Sequence, residues 1–262
     1  MARPDFLIVG AMKAGTTTLY RDLVLHSQVF MPEQKEPSTL VRFGSLSGIE
    51  QDYDALFAKA APGQLKGEAS TDYTKRPVHE GVAERAHALT GGHLRIVYIR
   101  RDPVERIVSH WKHERQLDHT DLPLGEALRR LPDLIAFSRY DWQIAPWKAA
   151  FGADAVLELD LADYSADRTG WAKRVLAHIG ADPELLPLLD EGLVANSYGE
   201  QKLMRIRLLA GFIGSRLYQR TLKPLLPRGL RERGRRLGLP LLPTGNPGLG
   251  DLACIAGALR GP

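Results

Sequence analysis

The stretch GAMKAGTTT at residues 10–18 constrains the fold of this chain more than any other feature. It follows an apolar, β-branched run at residues 6–9 and precedes a segment with Leu19 and Leu23 four residues apart, as on one helix face. Glycines between a strand and a helix let the backbone approach a phosphate closely, while threonine hydroxyls and the helix N-terminus supply donors. The sequence therefore predicts an α/β fold with an anion-binding loop at its first strand-helix junction.

Two further apolar runs, residues 94–99 and 155–159, also have the pattern of buried parallel strands followed by helices. The last of these helices is predicted over residues 169–179, closed by Gly180. Strands that alternate with helices at these spacings indicate a three-layer, P-loop-like α/β fold with a central, mostly parallel sheet flanked by helices.

The predicted organisation is one α/β domain at residues 1–202, with a helical cap inserted at about 115–150, where strand signals are missing. Residues 203–262 form a basic helical and Pro/Gly/Arg-rich extension, packed on the domain or loosely attached to it. Residues 203–240 hold ten Lys or Arg and one Glu, a net charge of +9.

Composition places the chain among ordinary globular proteins. It has 262 residues, 44% hydrophobic and 25% charged, enough to bury a core without disulfide or metal staples. Its one cysteine, Cys254, cannot close an internal disulfide, and no Cys/His cluster has zinc-like spacing. The run at residues 6–9 is far shorter than the ~18 residues of a membrane span and does not fit a signal peptide. We therefore expect a cytoplasmic protein.

The position of the lysine separates this loop from that of ordinary nucleotide triphosphate enzymes. Their motif, G-x-x-x-x-G-K-[ST], has Lys directly after the second glycine, whereas here Thr16 follows Gly15 and Lys13 lies inside the loop. The second strand also ends in Arg100 and Arg101, where an acid that holds magnesium would be expected. These departures argue for a metal-free group transfer and against a P-loop kinase, which remains the alternative enzyme.

Together these motifs resemble the sulfotransferases that use 3′-phosphoadenosine 5′-phosphosulfate (PAPS), in particular the carbohydrate and heparan sulfate type. KAGTT at residues 13–17 resembles their 5′-phosphosulfate loop. The segment IVYIRRDPVERIVSHWKHE at 96–114 resembles their 3′-phosphate site, in which an Arg ends a strand and a Ser follows eight residues later. MPEQKEP, GEASTDY and VLELDLADYSAD match further family segments in the same order, so the resemblance covers about residues 5–180.

The resemblance implies PAPS as the sulfuryl donor, adenosine 3′,5′-bisphosphate (PAP) as the product, and no metal. It assigns the 5′-phosphosulfate to the loop residues Lys13, Ala14, Gly15, Thr16, Thr17 and Thr18. It assigns the 3′-phosphate to Arg101 and Ser109. Arg suits a phosphate because its planar fork donates two hydrogen bonds. Arg100 remains the rival of Arg101, since neighbours in a strand point to opposite faces.

Two residues are candidates for the base that accepts the acceptor's proton. Glu36 lies in the KEP stretch, where the carbohydrate-type enzymes place an acid, and His113 matches a histidine of the N-sulfotransferase branch, one helical turn after Ser109. We prefer Glu36, with Lys13 as the group that stabilises the departing phosphate.

The expected reaction is sulfation of a hydroxyl, less readily an amine, on a carbohydrate, glycosylated or lipid-like small molecule. We therefore expect a small-molecule or glycan acceptor as the partner, and we expect no binding of nucleic acid. The other alternative is a binding module whose basic residues 203–240 dock on a membrane or nucleic acid. Peripheral membrane contact through this region stays open, and the oligomeric state is not predicted.

Overall fold

A computed structural model describes residues 2–117 and 119–189 of the chain, together with residues 255, 257 and 259. The strands are β1 (Phe6–Gly10), β2 (Val29–Phe30), β3 (Leu65–Ala69), β4 (Arg95–Arg100) and β5 (Val156–Asp160). The α helices are α1 (Thr16–Val24), α2 (Thr39–Arg42), α3 (Leu46–Leu56), α4 (Val82–Thr90), α5 (Pro103–Gln116), α6 (Leu124–Arg130), α7 (Asp133–Ala136), α8 (Tyr140–Phe151), α9 (Leu161–Ala166) and α10 (Arg168–Ile179). Short 3₁₀ turns occupy Thr71–Thr74, Ala153–Ala155 and Pro183–Leu185.

The five strands form one sheet in the order β2-β3-β1-β4-β5, and every neighbouring pair is parallel. β1 lies in the middle and is buried along its whole length, as expected for a strand with helices on both faces. The predicted α/β fold with a central parallel sheet is therefore confirmed. Because β1 lies between β3 and β4, a crevice is expected outside the carboxyl ends of these strands.

Helices α5 and α10 begin at capping side chains. The Asp102 carboxylate accepts a hydrogen bond from the backbone N–H of Glu105 at 2.9 Å, and Pro103 occupies the first turn of α5. The Asp167 carboxylate accepts from the N–H of Gly170 at 2.9 Å, and α10 ends at Gly180, whose φ of 91° is left-handed. These caps fix where each helix begins, and the cap of α5 thereby decides which of its residues face the crevice.

Three helices, α6 to α8, lie between α5 and β5, in the segment predicted as a cap. A second apolar cluster joins α6 and α7 to α5; its buried members are Ile107, Trp111, Leu124, Ala127, Leu128, Leu134, Ile135 and Ile255. The fully buried Arg106 of α5 also donates hydrogen bonds to the Leu134 carbonyl at 2.5 Å and to the Ser138 hydroxyl. These contacts hold α6 and α7, together with the residues that join them and Phe137, against α5, and we call this part of the chain the cap.

The predicted basic extension, residues 203–262, lies outside the described residues except for 255, 257 and 259, and its boundaries stay a prediction. Cys254 also lies outside them. Within the part of the chain that is described, no helix has both the length and the apolar composition needed to cross a membrane.

Candidate active site

A cleft of about 760 Å³ opens at the carboxyl ends of the central strands, and we call it the main cleft. Every predicted site residue except Ala14 lines it: Lys13, Gly15, Thr16, Thr17, Thr18, Glu36, Arg101, Ser109 and His113. These residues come from three separate parts of the chain: the β1–α1 loop, the segment before α2, and the β4–α5 unit. Its volume suits a nucleotide-sized ligand, since pockets for such molecules measure roughly 300–1,000 Å³.

The β1–α1 loop turns sharply at Gly15, whose φ of 97° lies in the left-handed region. A Cβ built there would come within 2.6 Å of Leu161 Cδ1, and together with the left-handed φ this close approach to α9 favours glycine. Thr16, Thr17 and Thr18 form the first turn of α1 and line the cleft, so the partial positive charge of the helix N-terminus lies beside it. The loop thus has the features of an anion cradle.

Ala14 is the exception among the predicted binding residues. Its methyl group is fully buried in the core, and its backbone N–H donates to the carbonyl of Ala11 at 3.1 Å. The donor is therefore used inside the loop, and Ala14 shapes the loop without lining the cleft.

Lys13 lies at the base of the main cleft with a left-handed φ of 67°. Burial lowers the pKa of its ammonium, and the positive charge of Arg101 lowers the pKa further. Both cations line the same cleft.

The structure distinguishes the two arginines that follow one another at the end of β4. Arg100 turns toward β5, where its guanidinium pairs with Glu158 at 3.4 Å and Asp160 at 3.2 Å. Arg101 lines the main cleft and pairs with Glu105, one helical turn away, at 2.9 Å. Of these two arginines, Arg101 is the one placed to contact a ligand in the main cleft.

Glu36 is held at the end of β3. Its Oε2 accepts hydrogen bonds from the Thr71 backbone N–H at 2.6 Å and the Thr71 hydroxyl at 3.2 Å, and its Oε1 pairs with Lys35. The backbone φ at Glu36 is 59°, again left-handed. This carboxylate is therefore fixed in place by the residues around it.

His113 lies on α5, one turn after Ser109, and both face the main cleft. Burial lowers the pKa of its imidazole to about 4, and the charge of Lys13 adds to this effect. The ring is therefore uncharged at neutral pH, with a nitrogen lone pair available to accept a proton. The structure brings both base candidates to the same cleft.

Several residues that line the main cleft were not predicted from the sequence. Among them, Ser38, Asp72 and Lys75 form a hydrogen-bonded set. The Asp72 carboxylate accepts from the Ser38 hydroxyl at 2.6 Å and from the Lys75 ammonium at 2.7 Å. Leu161 and Ser165 follow β5 on α9. Leu161 and Ser165 could have been found from the sequence, because they directly follow a predicted strand, β5, whose carboxyl end lies at this edge of the sheet.

Within the described ranges, no group of three or more His, Cys, Asp or Glu side chains could hold a metal ion. The expectation of a metal-free reaction stays a prediction.

Comparisons with known proteins place this geometry in context. A family model described as "Sulfotransferase domain" matches residues 3–197. A sulfotransferase from Alicyclobacillus acidocaldarius is 26% identical with a TM-score of 0.64, covering 74% of this chain and 86% of that one. A sulfotransferase domain from the curacin biosynthetic pathway is 16% identical with a TM-score of 0.52, covering 98% and 97%. The corresponding domain of the Synechococcus PCC 7002 olefin synthase is also 16% identical, with a TM-score of 0.51, covering 100% and 97%. A search of curated proteins gave no match.

Proposed function

The chain belongs to the sulfotransferase family, whose model matches residues 3–197, and from this premise we propose that PAPS is its sulfuryl donor. The proposed acceptor group is a hydroxyl, with an amine second, on a carbohydrate, glycosylated or lipid-like small molecule. The proposed reaction is an in-line displacement that needs no metal.

The observation that carries this proposal is the placement of Lys13 and Arg101 in one cleft, after the neighbouring strands β1 and β4. PAPS has two anionic ends, and each junction offers a basic side chain beside a helix N-terminus. In this proposal Lys13, Gly15 and the α1 threonines hold the 5′-phosphosulfate. Arg101 and Ser109 hold the 3′-phosphate.

When bound, PAPS supplies an activated sulfuryl group, whose transfer to the acceptor oxygen releases PAP. In the proposal Lys13 stabilises the negative charge that develops on the departing phosphate oxygen, which is electrostatic help directed at the transition state. Glu36 or His113 accepts the proton of the acceptor hydroxyl, since both line the same cleft. The other residues orient the two substrates.

Isothermal titration calorimetry with PAP tests the proposal directly. We expect PAP to bind without added magnesium, and Lys13→Ala and Arg101→Ala each to weaken binding at least about tenfold, since each removes a charged partner of a phosphate. We also expect both variants to abolish sulfur-35 transfer from labelled PAPS.

Arg100→Ala is the matched control, because Arg100 is adjacent in sequence but pairs with Glu158 and Asp160. It should keep the PAP affinity of the parent chain. Absence of PAP binding, with magnesium-dependent binding of ATP instead, would overturn the proposal in favour of a P-loop kinase.

A further inference from the structure

A second cavity of about 270 Å³, which we call the side cavity, adjoins the main cleft. The two share a rim formed by Met12 of the β1–α1 loop and by Asp72 and Lys75. A molecule in the side cavity therefore lies directly beside the residues that surround Lys13.

Helix α5 lines both spaces with two adjacent stripes of side chains. Ser109 and His113 face the main cleft, whereas His110 and Glu114 face the side cavity. Each pair is four residues apart, which is the spacing of one helix face. A molecule seated against His110 and Glu114 would thus lie beside the helix face that carries His113, one of the two candidate bases.

The side cavity has a largely apolar wall built by the cap. Leu131, Leu134 and Phe137 line it from the cap, and Val78 lies on the opposite side. Phe137 stacks on His110 with ring centroids 5.7 Å apart and planes 14° from parallel, which gives a flat platform. The volume lies below the roughly 300–1,000 Å³ of pockets for drug-sized ligands, so a one-ring molecule fits best.

The polar groups of the side cavity are mainly acidic. Asp72, Glu114 and Asp133 contribute three carboxylates, against the single ammonium of Lys75, and His79 and His110 add two imidazoles. Hydrogen bonds from His110 and His119 lower the pKa of Glu114 to about 2, so its charge persists at neutral pH.

His119 pairs with Glu114 at 2.9 Å without lining the side cavity, and His110, which does line it, contacts Glu114 at 3.4 Å. Burial lowers the pKa of His110, so the ring is uncharged at neutral pH. The fully buried Arg106 contacts His110 and does not line the cavity. The side cavity is therefore acidic, while the adjoining main cleft is lined by the basic residues Lys13 and Arg101.

We propose that the side cavity binds the body of the acceptor, and that it selects a small hydroxylated aromatic amine over an acidic acceptor. The apolar walls receive the ring, the carboxylates attract the ammonium group, and the hydroxyl points across the shared rim toward the main cleft. This inference rests on the proposed sulfotransferase reaction, and it names a one-ring aromatic amine as the acceptor in place of the carbohydrate, glycosylated or lipid-like molecule expected from the sequence.

The test uses three phenols that share one ring and differ in charge: tyramine, 4-ethylphenol and 3-(4-hydroxyphenyl)propionate. Each is titrated into the full chain by calorimetry, with PAP present and again without it. We expect tyramine to bind about tenfold more tightly than the propionate, with 4-ethylphenol between them, because two net negative charges lie near the ligand.

Variants locate the effect in the side cavity. Glu114→Gln and Asp133→Asn keep the shape of the side chains and should each reduce the preference for tyramine about threefold or more. Val78→Trp, at a position that is half exposed, should weaken all three phenols by filling the mouth. Glu126→Gln is the control, because Glu126 pairs with Arg130 on α6 and lines neither cavity. PAP affinity should be unchanged in all four variants.

Equal or tighter binding of the propionate, or no binding of any of the three phenols to protein that binds PAP, overturns the inference. If PAP does not bind, the proposed function is overturned. The order of the three phenol affinities measured without PAP then still decides whether the side cavity selects its ligand by charge.

Discussion

Backbone strain at single residues coincides with the main cleft. Among the described residues, three that are not glycine have a left-handed φ: Lys13, Glu36 and Ser38. All three line the main cleft. Such conformations cost of order 1–3 kcal/mol and persist where the surrounding structure imposes them, typically at functional sites. The strain therefore supports Lys13 and Glu36, which the sequence motifs selected, and adds Ser38, which they did not.

The strain at Lys13 gives a prediction that separates stability from binding. Lys13→Gly should be more stable to urea unfolding than Lys13→Ala by about 1 kcal/mol, because glycine adopts a left-handed φ without a Cβ penalty. Both variants should lose PAP affinity equally. At the exposed Lys59, whose φ is not positive, the order of the Gly and Ala variants should reverse. Equal stability of the two Lys13 variants would contradict the prediction.

The two base candidates differ in what their substitution should do to turnover. Glu36→Gln should lower kcat and leave PAP affinity nearly intact, because the amide keeps the size of the side chain but cannot accept the proton. Steady-state kinetics with labelled PAPS and calorimetry with PAP measure the two effects separately.

Unchanged turnover in Glu36→Gln would assign the base to His113. Burial lowers the pKa of His113 to about 4, and a base must be unprotonated. In that case kcat should stay constant as the pH falls through 6.5 and decline only near pH 4, and His113→Asn should abolish transfer.

At the scale of elements, a buried ion pair fixes α1, the helix that begins at the anion-binding loop. The Asp22 carboxylate of α1 is fully buried and accepts hydrogen bonds from Arg168 of α10 at 2.5 and 2.8 Å and from the Tyr164 hydroxyl of α9. The pair therefore joins α1 to the two helices that follow β5.

Removal of Asp22 should strongly destabilise the chain. Asp22→Ala removes the buried carboxylate that Arg168 and Tyr164 share, and breaking such a pair costs about 3–5 kcal/mol. Urea unfolding followed by circular dichroism measures the loss. Arg21→Ala, at the exposed neighbouring position of the same helix, should change stability by less than about 0.5 kcal/mol. A loss below about 1 kcal/mol in Asp22→Ala would contradict this account.

The elements that the sequence predicts well are those with an unbroken apolar pattern. β1, β4 and β5 appear within one residue of the predicted runs, because strands buried on both faces need apolar side chains throughout. β3 was not predicted, since Lys66, Gly67 and Glu68 interrupt its pattern. It forms because β1 offers it a partner, with Leu7 opposite Glu68, and such long-range pairing leaves little local signal.

The two cavities also differ in how well the sequence predicts them. Contiguous motifs at strand-helix junctions predict most of the main cleft, because the parallel sheet brings those junctions to one edge. The side cavity combines residues near 12, 72–79, 110–114 and 131–137. Its shape depends on how the cap packs on α5 through Arg106 and the second apolar cluster, and no local pattern encodes that packing.

For the molecule as a whole, the buried carboxyl of Glu68 couples folding to pH. Glu68 is fully buried in the centre of the fold and accepts hydrogen bonds from Ser70 at 2.7 Å, Tyr53 at 3.2 Å and Tyr73. Burial raises its pKa from the ordinary 4.5 to about 7, even though these hydrogen bonds favour the charged form. The folded chain therefore keeps the proton over a range in which the unfolded chain has released it.

This difference in pKa should make the folded chain less stable as the pH rises from 4.5 to 7. Below pH 4.5 both states hold the proton, and the contribution of Glu68 is fully present. Between the two pKa values only the folded state holds it, so up to roughly 3 kcal/mol of unfolding free energy is lost by pH 7. Glu68→Gln cannot titrate, so urea unfolding of this variant from pH 4 to 8 should lack that component. Glu84→Gln, at an exposed position on α4, is the control and should show the same dependence of unfolding free energy on pH as the parent chain. The same dependence in Glu68→Gln would contradict the prediction, because it would show that Glu68 ionises alike in the folded and unfolded states.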